Sequence, residues 1–196
     1  MLLEDLTQLI FIIRSPTDIP EDEAIRAAKL FQACHLKQGE FFVRAGDMPQ
    51  TIGVVRSGIM RLYYVDRDGN EYTKSFCAEN SFVAAYSALL LEQPSRLFIQ
   101  VLEDTKLMII DYATYRSLSE KHSCWQALNC KIAETLFIKK EKRESALLLD
   151  DAKTRYLSFQ AEYPGLEARL KQYHIASYLG ITPVTLSRIR AQLKSS

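Results

Sequence analysis

The sequence predicts an α+β protein. An N-terminal antiparallel β-barrel or roll is followed by one long helix and a C-terminal winged helix-turn-helix domain. Three observations carry this. Between residues 36 and 110, short β-rich runs alternate with closely spaced turn signals, the pattern of an antiparallel barrel or roll. From about Ser123 to Leu149 one helical pattern runs without a break. Around Gly180 two short helical patterns meet at a tight turn. The expected domains are residues 1–122, with two helices ahead of the roll, residues 123–149, the long helix, and residues 150–196.

Taken in order, Leu2, Leu3, Leu6, Leu9, Ile10 and Ile13 form an apolar stripe at helical spacing, and Arg14-Ser15-Pro16 ends it. Ile19-Pro20 opens a second helix. Glu21, Asp22 and Glu23 fill its first turn, where the helix dipole favours acids, and Ile25, Ala28, Leu30 and Phe31 follow. From Leu36 the period becomes that of strands. Phe41 to Val43, Ile52 to Val55 and Ile59 to Val65 are β-rich, separated by Ala45-Gly46-Asp47 and Ser57-Gly58. Asp66-Arg67-Asp68-Gly69-Asn70 is a hairpin turn, and Tyr72 to Phe76 the returning strand. After a loop, Leu97 to Val101 and Lys106 to Ile110 read as strands, and residues 112–118 as a short helix.

The long helix carries the stripe Trp125, Leu128, Ile132 and Leu136, then the charge run from Lys139 to Glu144. One small roll cannot cover a helix of this length. A dimer seam along the stripe is one expectation; a helix lying along its own domain is the other. Asp151 to Gln160 begins the last domain, and Tyr163-Pro164-Gly165 ends that helix. Leu166 to Gln172 is short enough for a small β-wing.

Lys171 to Leu193 follows helix-turn-helix rules. Ile175, Ala176 and Leu179 share one face, and Gly180 permits the left-handed turn. Ile181 plugs the angle. Thr182 can cap the next helix, and Pro183 takes its first position, where a missing N–H costs nothing. Leu186, Ile189 and Leu193 form the inner stripe, leaving Thr185, Ser187, Arg188, Gln192 and Lys194 outward. This outward face is short, polar and basic, as a major-groove helix requires. An ordinary αα-hairpin also supplies two apolar faces and a Gly turn, but a solvated helix usually mixes charge signs, and this one has no acid.

Net charge is +1, and the chain is 47% hydrophobic, enough for a real core. The charge is uneven: residues 1–150 hold 18 Lys+Arg against 21 Asp+Glu, residues 151–196 hold 7 against 3. The basic excess therefore sits with the helix-turn-helix, where phosphate neutralisation needs it. Cys34, Cys77, Cys124 and Cys130 form no metal-ligand spacing, and reduced thiols in a cytoplasmic protein are expected. The apolar run Leu9 to Ile13 is far too short for a membrane span, and no membrane association is expected. No Ser/His/Asp order, metal cluster or phosphate loop points to catalysis, so no catalytic or metal-binding residues are assigned.

The segments KQGEFFVRAGD (37–47), RSGIMRLYYVDRDGNE (56–71), LEDT (102–105) and HIASYLGITPVTLSRIR (174–190), in this order, resemble the Crp/Fnr family of bacterial transcription regulators over nearly the whole chain. The resemblance implies a cyclic-nucleotide-binding-like roll (a double-stranded β-helix), a homodimer on a pseudo-palindromic double-stranded DNA site, and RNA polymerase as a candidate partner. Nucleotide-binding members carry Gly-Glu and, about ten positions later, Arg-Ser for ribose and phosphate. Here Ala84-Ala85 and Ser95-Arg96 stand instead, with Tyr86 beside them. The carboxylate is gone and the guanidinium is shifted by one, which in a strand turns it to the opposite face, though in a loop it could still reach a pocket. Weak or no cAMP binding is expected, and the effector, if there is one, is an unidentified small molecule. No cysteine precedes Cys34, and His35, His122 and His174 lie outside the roll, so iron–sulfur and haem cofactors are not implied.

The recognition helix also departs from the family pattern, because Pro183 and Val184 replace the Arg-Glu pair. Arg188 is the expected guanine contact, Val184 and Thr185 lie near a thymine methyl or a neighbouring base edge, and Thr182, Ser187 and Arg190 are read as phosphate contacts, with pairing inside the protein as the alternative for Arg190. The alternative function is a small-molecule or cyclic-nucleotide-binding module whose helical C-terminal domain makes protein contacts.

Overall fold

The computed structural model describes residues 3–194; Leu2, expected in the first stripe, lies outside them. The chain forms two compact units, Met1–Leu62 with Phe76–Thr135, and Tyr63–Ser75 with Leu136–Ser196. The division falls inside the long helix, and a hairpin from the first half of the chain groups with the C-terminal residues.

α1 (Leu3–Arg14) and α2 (Glu21–Ala28) precede the strands β1 (Gln32–Leu36), β2 (Phe41–Val43), β3 (Thr51–Ser57), β4 (Met60–Val65), β5 (Glu71–Cys77) and β6 (Phe82–Val83), with residues 63–75 of β4, β5 and their turn in the C-terminal unit and the rest in the N-terminal one. Then come α3 (Tyr86–Leu91), β7 (Phe98–Val101), β8 (Thr105–Asp111) and α4 (Tyr112–Lys121). The strands make two four-stranded sheets, ordered β1-β8-β3-β6 and β2-β7-β4-β5. β8 pairs antiparallel with both β1 and β3, and β3 with β6.

Strand alternation builds two cores from the same strands. Ile52, Val54, Met108 and Ile110 point to a cluster with Leu9, Ile13, Ala24, Ala27 and Phe31 of the helical side. Val55 and Leu107 point the other way, into a cluster with Val43, Met60, Leu62, Val83 and Ile99 between the sheets. A sheet buried on both faces reads as a continuous apolar run, which is why Ile52 to Val55 and Lys106 to Ile110 carry little polar alternation. Gly58 turns between β3 and β4 at φ +101°, and an added Cβ there would stand 2.4 Å from Thr105 Oγ1.

The structure adds three elements to the sequence expectation. β1 is mostly exposed along its length and carries no apolar alternation, so its period is silent, and it places His35, expected outside the roll, in a strand opposite Lys106 of β8. β6 is two residues long. α3 starts without a side-chain cap, so the expected loop is partly a helix. α2 ends at Ala28, leaving Leu30 exposed beyond it while Phe31 is buried.

α5 (Cys124–Leu149) begins in the N-terminal unit. Here the expected seam is corrected. Trp125 is 1% exposed and Leu128 fully buried, both inside the core with Leu9 and Phe31, and Ile132 packs against that core. Trp125 Nε1 donates to Glu23 Oε2 at 3.4 Å, and Tyr115 OH to Asn129 Oδ1 at 2.6 Å. Trp125 and Leu128 are covered by their own chain and are not available to a partner, while Ile132 is half-buried. Leu136, the last of the stripe, is exposed.

The C-terminal unit holds the hairpin, the second half of α5, α6 (Ala152–Glu162), a 3-10 turn at Leu166–Ala168, α7 (Gln172–Leu179) and α8 (Pro183–Lys194). Asp151 caps α6 by accepting from Thr154 N at 2.7 Å. Phe159, Tyr163 and Tyr178 form an aromatic triangle with centroids 5.4–5.6 Å apart. The wing expected at Leu166 to Gln172 is not a strand. Gly165 adopts a left-handed conformation, and buried Leu166 and Leu170 sit one helical turn apart, so burial favours a coiled segment. No strand occurs after residue 149 among the described residues, and no helix among them is long and apolar enough to cross a membrane.

Candidate nucleic-acid interface

The helix-turn-helix forms as its sequence requires. α7 closes on Gly180 at φ +67°, with Ile181 N donating back to Ala176 O at 3.0 Å. An added Cβ at Gly180 would come within 3.3 Å of Leu147 Cδ2. Thr182 Oγ1 accepts from Thr185 N at 3.2 Å and pairs with Thr185 Oγ1 at 2.9 Å, an N-cap that leaves Pro183 at the first position. Gln172 Nε2 donates to Pro183 O at 2.7 Å and ties the starts of both helices together. Ile175, Ala176, Leu179, Leu186 and Ile189 are buried between them.

The other side of α8 is open. Val184 is 60% exposed, and Ser187 and Arg188 are exposed. Arg188 stands two positions from buried Leu186, about 200° around a helix of 3.6 residues per turn. Thr185 is half-buried beside the cap. From Ala168 to the end the sequence has no Asp or Glu, while Arg169, Lys171, Arg188, Arg190 and Lys194 are cationic. The exposed part of this face therefore offers donors and positive charge to a polyanion with no acid of its own to oppose it.

Arg190 takes the alternative to a phosphate contact and pairs within the protein. Its Nε lies 2.8 Å from Glu167 Oε1, and its guanidinium sits 5.8 Å over the Tyr156 ring. Tyr156 OH and Gln160 Nε2 also donate to the Glu167 carboxylate. Burial pushes the Glu167 carboxyl up, but these bonds and the Arg190 charge outweigh it and hold it below the usual carboxylate range. Arg190 lies on the inner side of α8 and braces it against α6 and the 3-10 turn. A groove of about 690 Å³ beside this network is lined by Tyr156, Glu167, Arg190 and Leu193, not by Val184, Ser187 or Arg188, so it is separate from the exposed face. Arg155 also escaped the sequence reading: its guanidinium donates to Leu179 O at 3.0 Å and Asp150 O at 2.6 Å, which closes α7 from behind.

The expected ligand-pocket residues do not converge. Ala85 is buried among Val43, Leu62, Val83, Leu97 and Ile99 between the sheets, while Ala84 packs on the helical side. Tyr86 is half-buried, and burial, then Tyr112, pushes its phenol up. Ser95 is buried, its Oγ donating to Leu97 O at 2.8 Å, and Arg96 is exposed in the loop before β7. The segment thus presents apolar carbon and one satisfied hydroxyl inward. Among the described residues no group of three or more His, Cys, Asp or Glu could hold a metal ion.

Residues 33–122 match the family model of the cyclic nucleotide-binding domain. The chain is 25% identical over 172 residues to the fumarate and nitrate reduction regulatory protein of Yersinia pestis, covering 82% of this chain and 68% of that one. Its fold is similar to that of FixK2 from Bradyrhizobium japonicum, with a TM-score of 0.73 at 19% identity over 84% of this chain and 85% of the other. It is also similar to the catabolite activator protein of Thermus thermophilus, with a TM-score of 0.59 at 20% identity over 90% and 84%.

Proposed function

We propose that this chain, which belongs to the Crp/Fnr family of transcription regulators, acts as a homodimer that sets one α8 into each half-site of a pseudo-palindromic DNA site. The observation that carries the reading is the outward face of α8: Val184, Ser187 and Arg188 are open in an acid-free segment while Leu186 and Ile189 are buried. Arg188 is suited to a bidentate contact with guanine O6 and N7. Val184 and the Thr185 methyl suit a thymine methyl. Ser187 and the capped first turn of α8 suit phosphate oxygens, because helix N-termini offer free N–H groups to anions. Thr182 acts through that cap, and Arg190 holds the helix from behind. Such a regulator works at a promoter, which makes RNA polymerase the next candidate partner. Without a carboxylate at positions 84–85 and with Arg96 exposed, the roll is not built to hold cAMP in the family's usual way.

Fluorescence anisotropy on a pool of genomic DNA fragments at two salt concentrations tests this. Specific fragments are expected to be retained, with affinity falling steeply as salt rises. Arg188→Ala is expected to lose about 1–3 kcal/mol of discrimination at one base position per half-site. Salt-insensitive binding, or an Arg188→Ala variant that discriminates as well as the wild type, overturns the proposal.

A further inference from the structure

β5 is the last strand of its sheet, and its residues 71–75 belong to the C-terminal unit. Residues two apart on a strand direct their backbone groups to the same edge, so Glu71 and Thr73 share one. An edge strand must have that row of groups met or covered. Here side chains of α5 and α7 meet it. Ser177 Oγ donates to Glu71 O at 2.8 Å and accepts from Thr73 N at 2.9 Å. Thr73 Oγ1 donates to His174 O at 3.3 Å. Arg143 Nη2 donates to Thr73 O at 2.9 Å, with its guanidinium 4.0 Å over the Tyr178 ring. Thr73, His174 and Tyr178 are buried.

We propose that the hairpin is a clasp on the helix-turn-helix and that Ser177 is its positioning residue. One hydroxyl spans two backbone groups of β5 and so fixes α7 along its length. Gln172 and the buried Ile175–Leu186 contact face then carry that pose to α8. The clasp positions and does not mask, since Val184, Ser187 and Arg188 stay exposed while it is closed. β5 continues through Phe76 and Cys77 into the N-terminal unit, so the clasped edge is a covalent extension of the roll. This inference rests on the DNA-binding reading of α8. By linkage, a clasp that favours DNA binding must itself be favoured by DNA.

Hydrogen exchange at the Thr73 amide of the full chain reads the clasp directly, using a DNA fragment retained in the anisotropy experiment. The fragment is expected to slow exchange at Thr73 in the wild type. Ser177→Ala is expected to speed exchange there and to weaken fragment binding about five- to tenfold, the net worth of one or two hydrogen bonds. Ser177→Thr keeps the hydroxyl and is expected to restore both, which separates a positioning role from loss of the fold. Unchanged Thr73 exchange on adding DNA, or wild-type affinity in Ser177→Ala, overturns the clasp. If Arg188→Ala loses affinity and Ser177→Ala does not, the clasp alone fails. If neither variant changes binding, the DNA-binding reading fails and the clasp with it.

Discussion

Two arginines two positions apart on α8 have opposite fates. Arg188 points outward, while Arg190 is held by Glu167 at 2.8 Å. Helical geometry sets them about 200° apart, but the partner that holds Arg190 is not local, because Glu167 reaches it only once the 3-10 turn has brought it there. Glu162 shows the same logic with a pH signature. Lys139 Nζ and Tyr178 OH each reach its carboxylate at 2.7 Å. Burial pushes the Glu162 carboxyl up, but the Lys139 and Tyr178 bonds outweigh this and leave it below the usual carboxylate range. A carboxyl whose folded pKa lies below its unfolded value of about 4.3 adds stability that is complete above that value. The stability disappears as pH falls through the folded value. Thermal melts are therefore expected to show the wild type more stable than Glu162→Gln at neutral pH, with the difference closing in acid. A difference that persists unchanged in acid would mean that the lost packing of the carboxylate, not its charge, is what matters.

At the scale of the element, α5 is the segment whose reading changed most. Its apolar stripe was legible, but which surface covers it was not. Trp125 and Leu128 are spent on the N-terminal core, and apart from Leu136 the uncovered apolar residues lie off the stripe. Phe137 is 66% exposed, and Cys130 and Ala133, at helical spacing before it, are exposed as well. Leu148, one residue before the helix end, is 83% exposed. A homodimer seam on this face would remove these groups from water, at about 1.5–3 kcal/mol per fully buried large side chain. Phe137→Glu is expected to shift the protein to monomer in sedimentation experiments and to weaken DNA binding with it, because two half-sites then no longer act together. A Phe137→Glu chain that stays dimeric would place the seam on another surface.

For the whole molecule, the roll interior decides how it can be regulated. Val43, Val55, Leu62, Val83, Ala85, Leu97 and Ile99 fill the space between the sheets with their own side chains. A ligand bound at a hundred times its Kd would stabilise the fold by about 2.7 kcal/mol. Neither cAMP nor cGMP is expected to raise the melting temperature; a rise of several degrees with either would show that Arg96 or another cation reaches a polar ligand inside the roll. The sequence by itself determined what local rules govern: the order of elements, the hairpin at Asp66 to Asn70, the Gly180 turn and the Thr182-Pro183 helix start. Periodicity, turn residues and capping act over a few positions, so they are readable without the fold. It also placed the open basic face of α8, because helical geometry sends Leu186 and Arg188 to opposite sides. The tertiary structure alone decided that β1 and β6 are strands, that Leu166 to Ala168 coils where a wing was expected, that Trp125 belongs to a core, and that Ser177 meets Thr73. Each of these depends on a partner distant in sequence, and burial or a hydrogen bond to such a partner outweighs local preference by more than any short pattern encodes.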